Sequence, residues 1–234
     1  MNKEKIISLM TDNWASEKLE TVKKFGKTLL TVEHIQSKDK TVQNVSFKVR
    51  AGEILGVFGL GGSGRTESLE CIYGLRALAD GKIILEDQDF FNVTPEKSLK
   101  NGLVLICEDR RGMALIPRLN VKQNIVLSTI DAHARYGIVD EQKELTHTNE
   151  KIAELSIKTE GPNQRVSQLS GGNQQKVVFA KALMSAPRVL LCDEPTQAVD
   201  VKTRAEIHRL LRKMADQGSG IVFVSSDLQE VLSI

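Results

Sequence analysis

The sequence predicts an α/β protein: a parallel sheet flanked by helices, preceded by an antiparallel β subdomain and interrupted by a helical insertion. Three observations carry this reading. Short continuous apolar runs, Ile54-Leu55-Gly56-Val57-Phe58, Val189-Leu190-Leu191-Cys192 and Ile221-Val222-Phe223-Val224, alternate with helical stretches, as strands buried on both faces of a parallel sheet do. Two earlier segments, Thr31–Ile35 and Val42–Val49, alternate polar and apolar residues around the turn Lys38-Asp39-Lys40, which is the pattern of an antiparallel pair. From Val121 to about Gln168 the periodicity is helical and no good strand occurs.

The elements follow in chain order. Residues 1–28 hold the only tryptophan, Trp14, mix charged with apolar residues and look helical around Ile6, Ile7 and Met10. They read as a linker, with the folded domain expected over 29–234. After the run Ile54–Phe58 a helix is predicted from Thr66 to Leu75, then short strands near Lys82–Leu85 and Leu103–Cys107. Between these strands, Thr94-Pro95 supplies an N-cap and a proline at the first helical position, opening a helix to about Lys100. The insertion should hold helices over Val121–Thr129 and Glu141–Leu155. A helix from Gly172 to Met184 then precedes the Val189 strand. The next helix, Val201–Gln217, carries Ile207, Leu210, Leu211 and Met214 on one stripe, and another opens at Asp227 after the last strand.

Composition excludes several classes. Thirty-two Lys and Arg against 30 Asp and Glu leave a net charge of +2, with 41% hydrophobic and 26% charged residues. That balance argues against a disordered polyelectrolyte and against a partner bound through a broadly basic surface, so nucleic acid is not expected. No run approaches the ~18 apolar residues of a membrane span. The opening Met1-Asn2-Lys3-Glu4-Lys5 has no apolar h-region behind it, which argues against a secretory signal. Cys71, Cys107 and Cys192 are far apart and odd in number, giving no disulfide framework and no metal-ligand spacing.

Gly59-Leu60-Gly61-Gly62-Ser63-Gly64-Arg65-Thr66 follows an apolar strand and opens a helix. It fits the phosphate-loop template except that Arg65 stands where lysine belongs. Glycines let backbone N–H groups wrap a phosphate, the helix N-terminus adds a favourable dipole, and Thr66 offers a hydroxyl to Mg²⁺. Read alone, the same stretch also fits a glycine-rich turn without a ligand. Arginine keeps the charge but is bulkier and planar, so catalysis at this loop is in question. Downstream, Val189–Cys192 runs into Asp193-Glu194, the Walker B arrangement. Asp193 would hold Mg²⁺, and Glu194 would polarise an attacking water. Leu169-Ser170-Gly171-Gly172-Asn173-Gln174-Gln175-Lys176 is the most informative octet. Serine and two glycines at a helix start present a hydroxyl and backbone N–H groups to an anion.

With these motifs the chain resembles the ABC ATPase family, whose signature is Leu-Ser-Gly-Gly followed by a polar residue. The longer form, ending Asn173-Gln174-Gln175-Lys176, is similar to the branch that imports ribose, galactose, xylose, autoinducer-2 and related solutes. The resemblance runs from about Leu30 to Ile234 and takes in Tyr73-Gly74-Leu75-Arg76, Glu108-Asp109-Arg110-Arg111-Gly112, Asp193-Glu194-Pro195-Thr196 and Val199-Asp200-Val201. It implies a P-loop ABC ATPase core with a helical subdomain over about 112–185, and closing strands beyond Ile234, so that the chain reads as truncated at its C-terminus. It further implies ATP and Mg²⁺ as cofactors. Gly59, Gly61, Gly62, Ser63, Gly64, Arg65, Thr66 and Glu108 would bind nucleotide, Thr66 and Asp193 would bind the metal, and Ser170, Gly171, Gly172 and Gln174 would act in the signature.

In such importers one polypeptide carries two ATPase halves, and this chain resembles the second. Arg65 replaces the phosphate-loop lysine, Glu108 takes the place of the Q-loop glutamine, and Ser226 takes that of the switch histidine beside the catalytic Glu194. No aromatic residue between Ile35 and Val42 is an evident adenine platform. His34, His133, His147 and His208 lie outside the motifs and read as surface or packing residues. The implied partners are another ATPase half in a head-to-tail dimer, integral membrane permease subunits and, indirectly, a periplasmic or extracellular solute-binding protein. The implied location is peripheral, on the cytoplasmic side of the membrane. A soluble ABC-type ATPase acting on nucleic acid or ribosomes, and a non-catalytic nucleotide-dependent dimerisation module, are the alternatives.

Overall fold

A computed structural model describes residues 25–135 and 138–234. The helical pattern around Ile6, Ile7 and Met10, with nearly all of the expected linker, lies outside the described residues. Backbone pairing starts at Gly26, whose N–H donates to Ala51 O at 2.8 Å, and Arg50 covers the Phe25 ring at 4.4 Å.

Two sheets form the frame. Strand β1 (Thr28–Ser37) pairs antiparallel with β2 (Val45–Arg50) and with β4 (Leu78–Leu85), and β4 pairs with the short β5 (Gln88–Asp89). The second sheet is parallel, in the order β3 (Ile54–Phe58), β10 (Gly220–Ser225), β9 (Val189–Asp193) and β6 (Leu103–Ile106). Alternation along the parallel strands sorts the core into two clusters. Leu190, Cys192, Ile221 and Phe223 face the helices α6 (Gly171–Met184) and α7 (Val201–Asp216). Val189, Leu191, Val222 and Val224 face α1 (Arg65–Tyr73) and the antiparallel sheet, meeting Leu30, Val32, Leu69 and Ile72.

Helix α2 (Pro95–Lys100) begins as the sequence predicts: Thr94 accepts a hydrogen bond from Lys97 N, with proline at the first position. Between β6 and α6 lie a π-helical turn (Arg110–Ala114), α3 (Val121–Val126), a 3-10 turn (Leu127–Thr129), α4 (Ile130–His133), a two-stranded ladder of β7 (Ala134–Arg135) with β8 (Ile138–Val139), and α5 (Glu141–Glu154). A capping box starts α3: Asn120 accepts from Gln123 N while the Gln123 side chain reaches back to Asn120 N. Helix α8 (Leu228–Ser233) follows its cap Asp227.

Three expectations are corrected. The insertion, read as holding no good strand, contains the two-residue ladder of β7 with β8. The Ile54–Phe58 strand is not buried on both faces, because it lies at the end of the parallel sheet's strand order and Phe58 is 44% exposed. The strand expected at Lys82–Leu85 starts earlier, at Leu78. Its polar first half is disguised by an irregular register, where Gly81, at φ +101°, lets β4 pass so close to Ile35 that a Cβ would lie 2.4 Å from its Cα.

Candidate functional site

The loop from Gly59 to Gly64 joins the end of β3 to α1, and its shape follows from its composition. Gly64 caps α1 in the left-handed region at φ +84°, which non-glycine residues reach only with strain, and it provides no side chain to cap the first-turn N–H groups. Those donors and the loop amides form a concave, electropositive turn suited to phosphate oxygens.

Across the sheet edge, β9 and β10 bring up the acidic groups. Asp193 closes β9, Glu194 follows in a left-handed backbone conformation at φ +44°, and Glu194 N donates to Val224 O at 3.0 Å. Arg65 Nη1 donates to Glu194 Oε1 at 3.0 Å, and both side chains are nearly buried. The Asp193 carboxyl is pushed up from 3.8 to about 6, first by burial, then by the neighbouring Glu108 and Glu194; a hydrogen bond from Thr66 and the Arg65 charge oppose the rise. Glu108 Oε1 accepts from Gln197 Nε2 at 3.0 Å.

Two recesses meet at Thr66, Glu108 and Gln197. One, of about 540 Å³, is lined by Gly61, Gly62, Ser63, Arg65, Glu194 and Ser226; the other, of about 660 Å³, by Cys107, Arg110, Asp193 and Gly171, among others. The structure therefore gathers Gly61, Gly62, Ser63, Gly64, Arg65, Thr66, Glu108, Glu194 and Ser226 around one space, while Gly59 is outside its lining and packs so close to Ser63 that a Cβ would lie 2.6 Å from the Ser63 hydroxyl. The donor set fits a hard divalent cation. Asp193 Oδ1 is buried without a hydrogen-bond partner, and the Thr66 hydroxyl bonds the same carboxylate. Among the described residues, no cluster of three His, Cys, Asp or Glu side chains could hold a metal ion.

Of the signature residues, Gly171 lines the larger recess with Thr66 and Asp193, while none of them lines the recess of the loop itself. Ser170 caps α6, is exposed and accepts from Asn173 Nδ2 at 2.9 Å. Gly172 is buried against the start of α7: a Cβ there would meet Thr203 Oγ1 at 2.6 Å and Asp200 Oδ2 at 3.1 Å. Gln174 departs from its expected role as a binding residue. Its side chain is 5% exposed, and its Nε2 donates to the Val166 and Leu169 carbonyls, bracing the turn before the signature.

A family model described as ABC transporter matches residues 42–197. The chain belongs to the ABC transporter family. The xylose import ATP-binding protein XylG of Thermoanaerobacter pseudethanolicus is 38% identical over 98% of this ABC chain. The ribose import ATP-binding protein RbsA of Streptococcus agalactiae is 43% identical over 82%. The chain spans less than half of these relatives, 47% and 39% of their respective lengths. Among solved structures, the dimeric bacterial ABC transporter cassette MJ0796 superposes with a TM-score of 0.75 at 24% identity, covering 88% of this chain and 91% of that one. The likeness shows the ABC cassette fold: a parallel sheet, an antiparallel sheet and helices in one α/β P-loop architecture.

Sequence reasoning missed Gln197 as a partner of Glu108, and it read His208 as a surface or packing residue. His208 is buried with its Nε2 2.7 Å from Glu230 Oε1. Neither pairing has a local sequence signal, because the partners lie 89 and 22 positions apart.

Proposed function

We propose that this chain is one nucleotide-binding half of an ATPase that energises import of a sugar or sugar-like solute, and that it acts mainly by donating its signature to ATP held by a partner half. The identities to xylose and ribose import ATP-binding proteins support the transport reading. In that reading the chain docks on integral membrane permease subunits from the cytoplasmic side and serves a solute-binding protein indirectly. No helix among the described residues is long and apolar enough to cross a membrane.

The observation that carries the division of labour is the Arg65–Glu194 ion pair at 3.0 Å. A phosphate-loop lysine is a compact charge directed at the β- and γ-phosphates, whereas Arg65 is planar and held on the carboxylate that would activate water. A carboxylate oxygen already held by a guanidinium is not free to orient an attacking water, and Ser226 supplies no imidazole to assist it. The loop retains its anion-binding amides, and Thr66 with Asp193 would hold Mg²⁺, which neutralises phosphate charge when bound. Its own site thus binds Mg²⁺–ATP and turns over slowly. Ser170 is exposed and Gly171 lines the neighbouring larger recess, and from the start of α6 they would complete the partner's site.

The test is ATPase measurement on the chain joined to an active partner half. Gly171→Asp is expected to abolish turnover, because it places a carboxylate where phosphate must dock, and Arg65→Ala is expected to cost far less. Loss of turnover in Arg65→Ala with Gly171→Asp fully active would overturn the reading.

A further inference from the structure

Glu230 lies on α8, outside every motif discussed above, and is 5% exposed. Its carboxylate joins three separate segments. Thr196 Oγ1 donates to Oε1 at 2.5 Å from the loop after β9, and Ser225 Oγ donates to Oε2 at 2.8 Å from the end of β10. His208 Nε2 reaches Oε1 at 2.7 Å from α7 and packs edge-on against Phe223. Burial pushes the Glu230 carboxyl up, but the bonds from His208, Thr196 and Ser225 outweigh it and hold it below the usual carboxylate value. The ionised group is acceptor-only, so His208 carries its proton on Nε2.

The three segments are the ones that place the proposed chemistry. Thr196 is two residues after Glu194, and Ser225 immediately precedes Ser226. From Thr196 the chain runs past Ala198, whose carbonyl would lie 3.6 Å from a Cβ on Gly171, to Asp200 and Thr203, which close against Gly172. A single buried carboxylate therefore fixes the root of a segment with Glu194 at one end and the signature glycines at the other. We propose that Glu230 is a positioning residue that sets segment 194–203, and through it the signature turn at Gly171 and Gly172, in the geometry needed for ATP turnover at the partner's site. The inference rests on the signature-donor reading above. A small displacement of a positioning group is sufficient to slow chemistry without weakening binding.

The experiment uses the chain joined to an active partner half. Thr196→Val removes one arm of the network at constant size and is expected to lower kcat for ATP about tenfold, with KM near that of the parent and the protein still folded. Thr196→Ser keeps the hydroxyl and is expected to restore kcat. Ser225→Ala is the second variant, read in the same way if Thr196→Val does not fold. Gly171→Asp in the same preparation separates the two readings. If it leaves turnover intact, the donor reading fails. If it abolishes turnover while Thr196→Val and Ser225→Ala keep the parent kcat, the donor reading stands and the role of Glu230 is overturned. A rise in KM at unchanged kcat, or an equal loss in the Val and Ser variants, overturns it as well.

Discussion

Asp193 and Arg65 make the site's chemistry measurable one side chain at a time. Burial lifts the Asp193 carboxyl from 3.8 to about 6, so the folded chain holds this proton more tightly than the unfolded one. The stability this provides is complete below about pH 4 and is lost as pH rises through about 6. Asp193→Asn should therefore gain melting temperature relative to the parent between pH 4 and pH 6 and remain the more stable protein at pH 7, which thermal denaturation at fixed ionic strength checks. A bound divalent cation removes the same penalty by favouring the ionised form. Mg²⁺–ATP affinity, followed by titration calorimetry, should weaken as pH drops below 6 in the parent and change less in the variant. For the Arg65–Glu194 pair, Arg65→Ala strands a nearly buried carboxylate and should cost about 3 kcal/mol. Removing both charges with Arg65→Met and Glu194→Gln should recover most of that loss in urea unfolding.

At the scale of elements, the start of α6 and the start of α7 hold each other. Gly172 is required by proximity: its missing Cβ would lie 2.6 Å from Thr203 Oγ1, itself bonded to the α7 cap Asp200 at 2.8 Å. Gly172→Ala should destabilise by about 1–3 kcal/mol, and adding Thr203→Ala should relieve part of it, as read by chemical denaturation. The start of α2 was legible in the sequence because caps act locally: Thr94 with Pro95 caps it in the structure, whereas Asp200, which caps α7, was not read as a cap. The glycine-rich strand-to-helix loop and the Asp193-Glu194 strand end were legible because each is a contiguous run, and the structure brings them to adjoining recesses. The lateral order of strands was not. Ile54–Phe58 and Ile221–Val224 are similar apolar runs, yet one ends the sheet's order and the other is central. The early start of β4 was hidden by a backbone irregularity that only the facing Ile35 explains. The role of Glu230 was hidden because its donors lie 34, 22 and 5 positions away.

In the molecule as a whole, one parallel sheet separates two apolar clusters, so each strand contributes to both. Phe223, fully buried on the helix side, is flanked along β10 by Val222 and Val224, which face the other way. Phe223→Ala should cost about 3–5 kcal/mol. It should also shift a single unfolding transition, because a cavity beside one layer weakens the sheet that carries the other; far-UV circular dichroism in urea reads both. The same layering distributes the three thiols unequally. Cys192 is sealed within β9 between Ile106 and Phe223, Cys71 is sealed in α1, and burial pushes the Cys71 thiol up to about 11. Cys107 is half-buried where the larger recess begins, next to Glu108. This chain thus contains its own single-position reporter. Iodoacetamide should alkylate Cys107 first, and protection of that one sulfur by added Mg²⁺–ATP would time the filling of the recess without any introduced label.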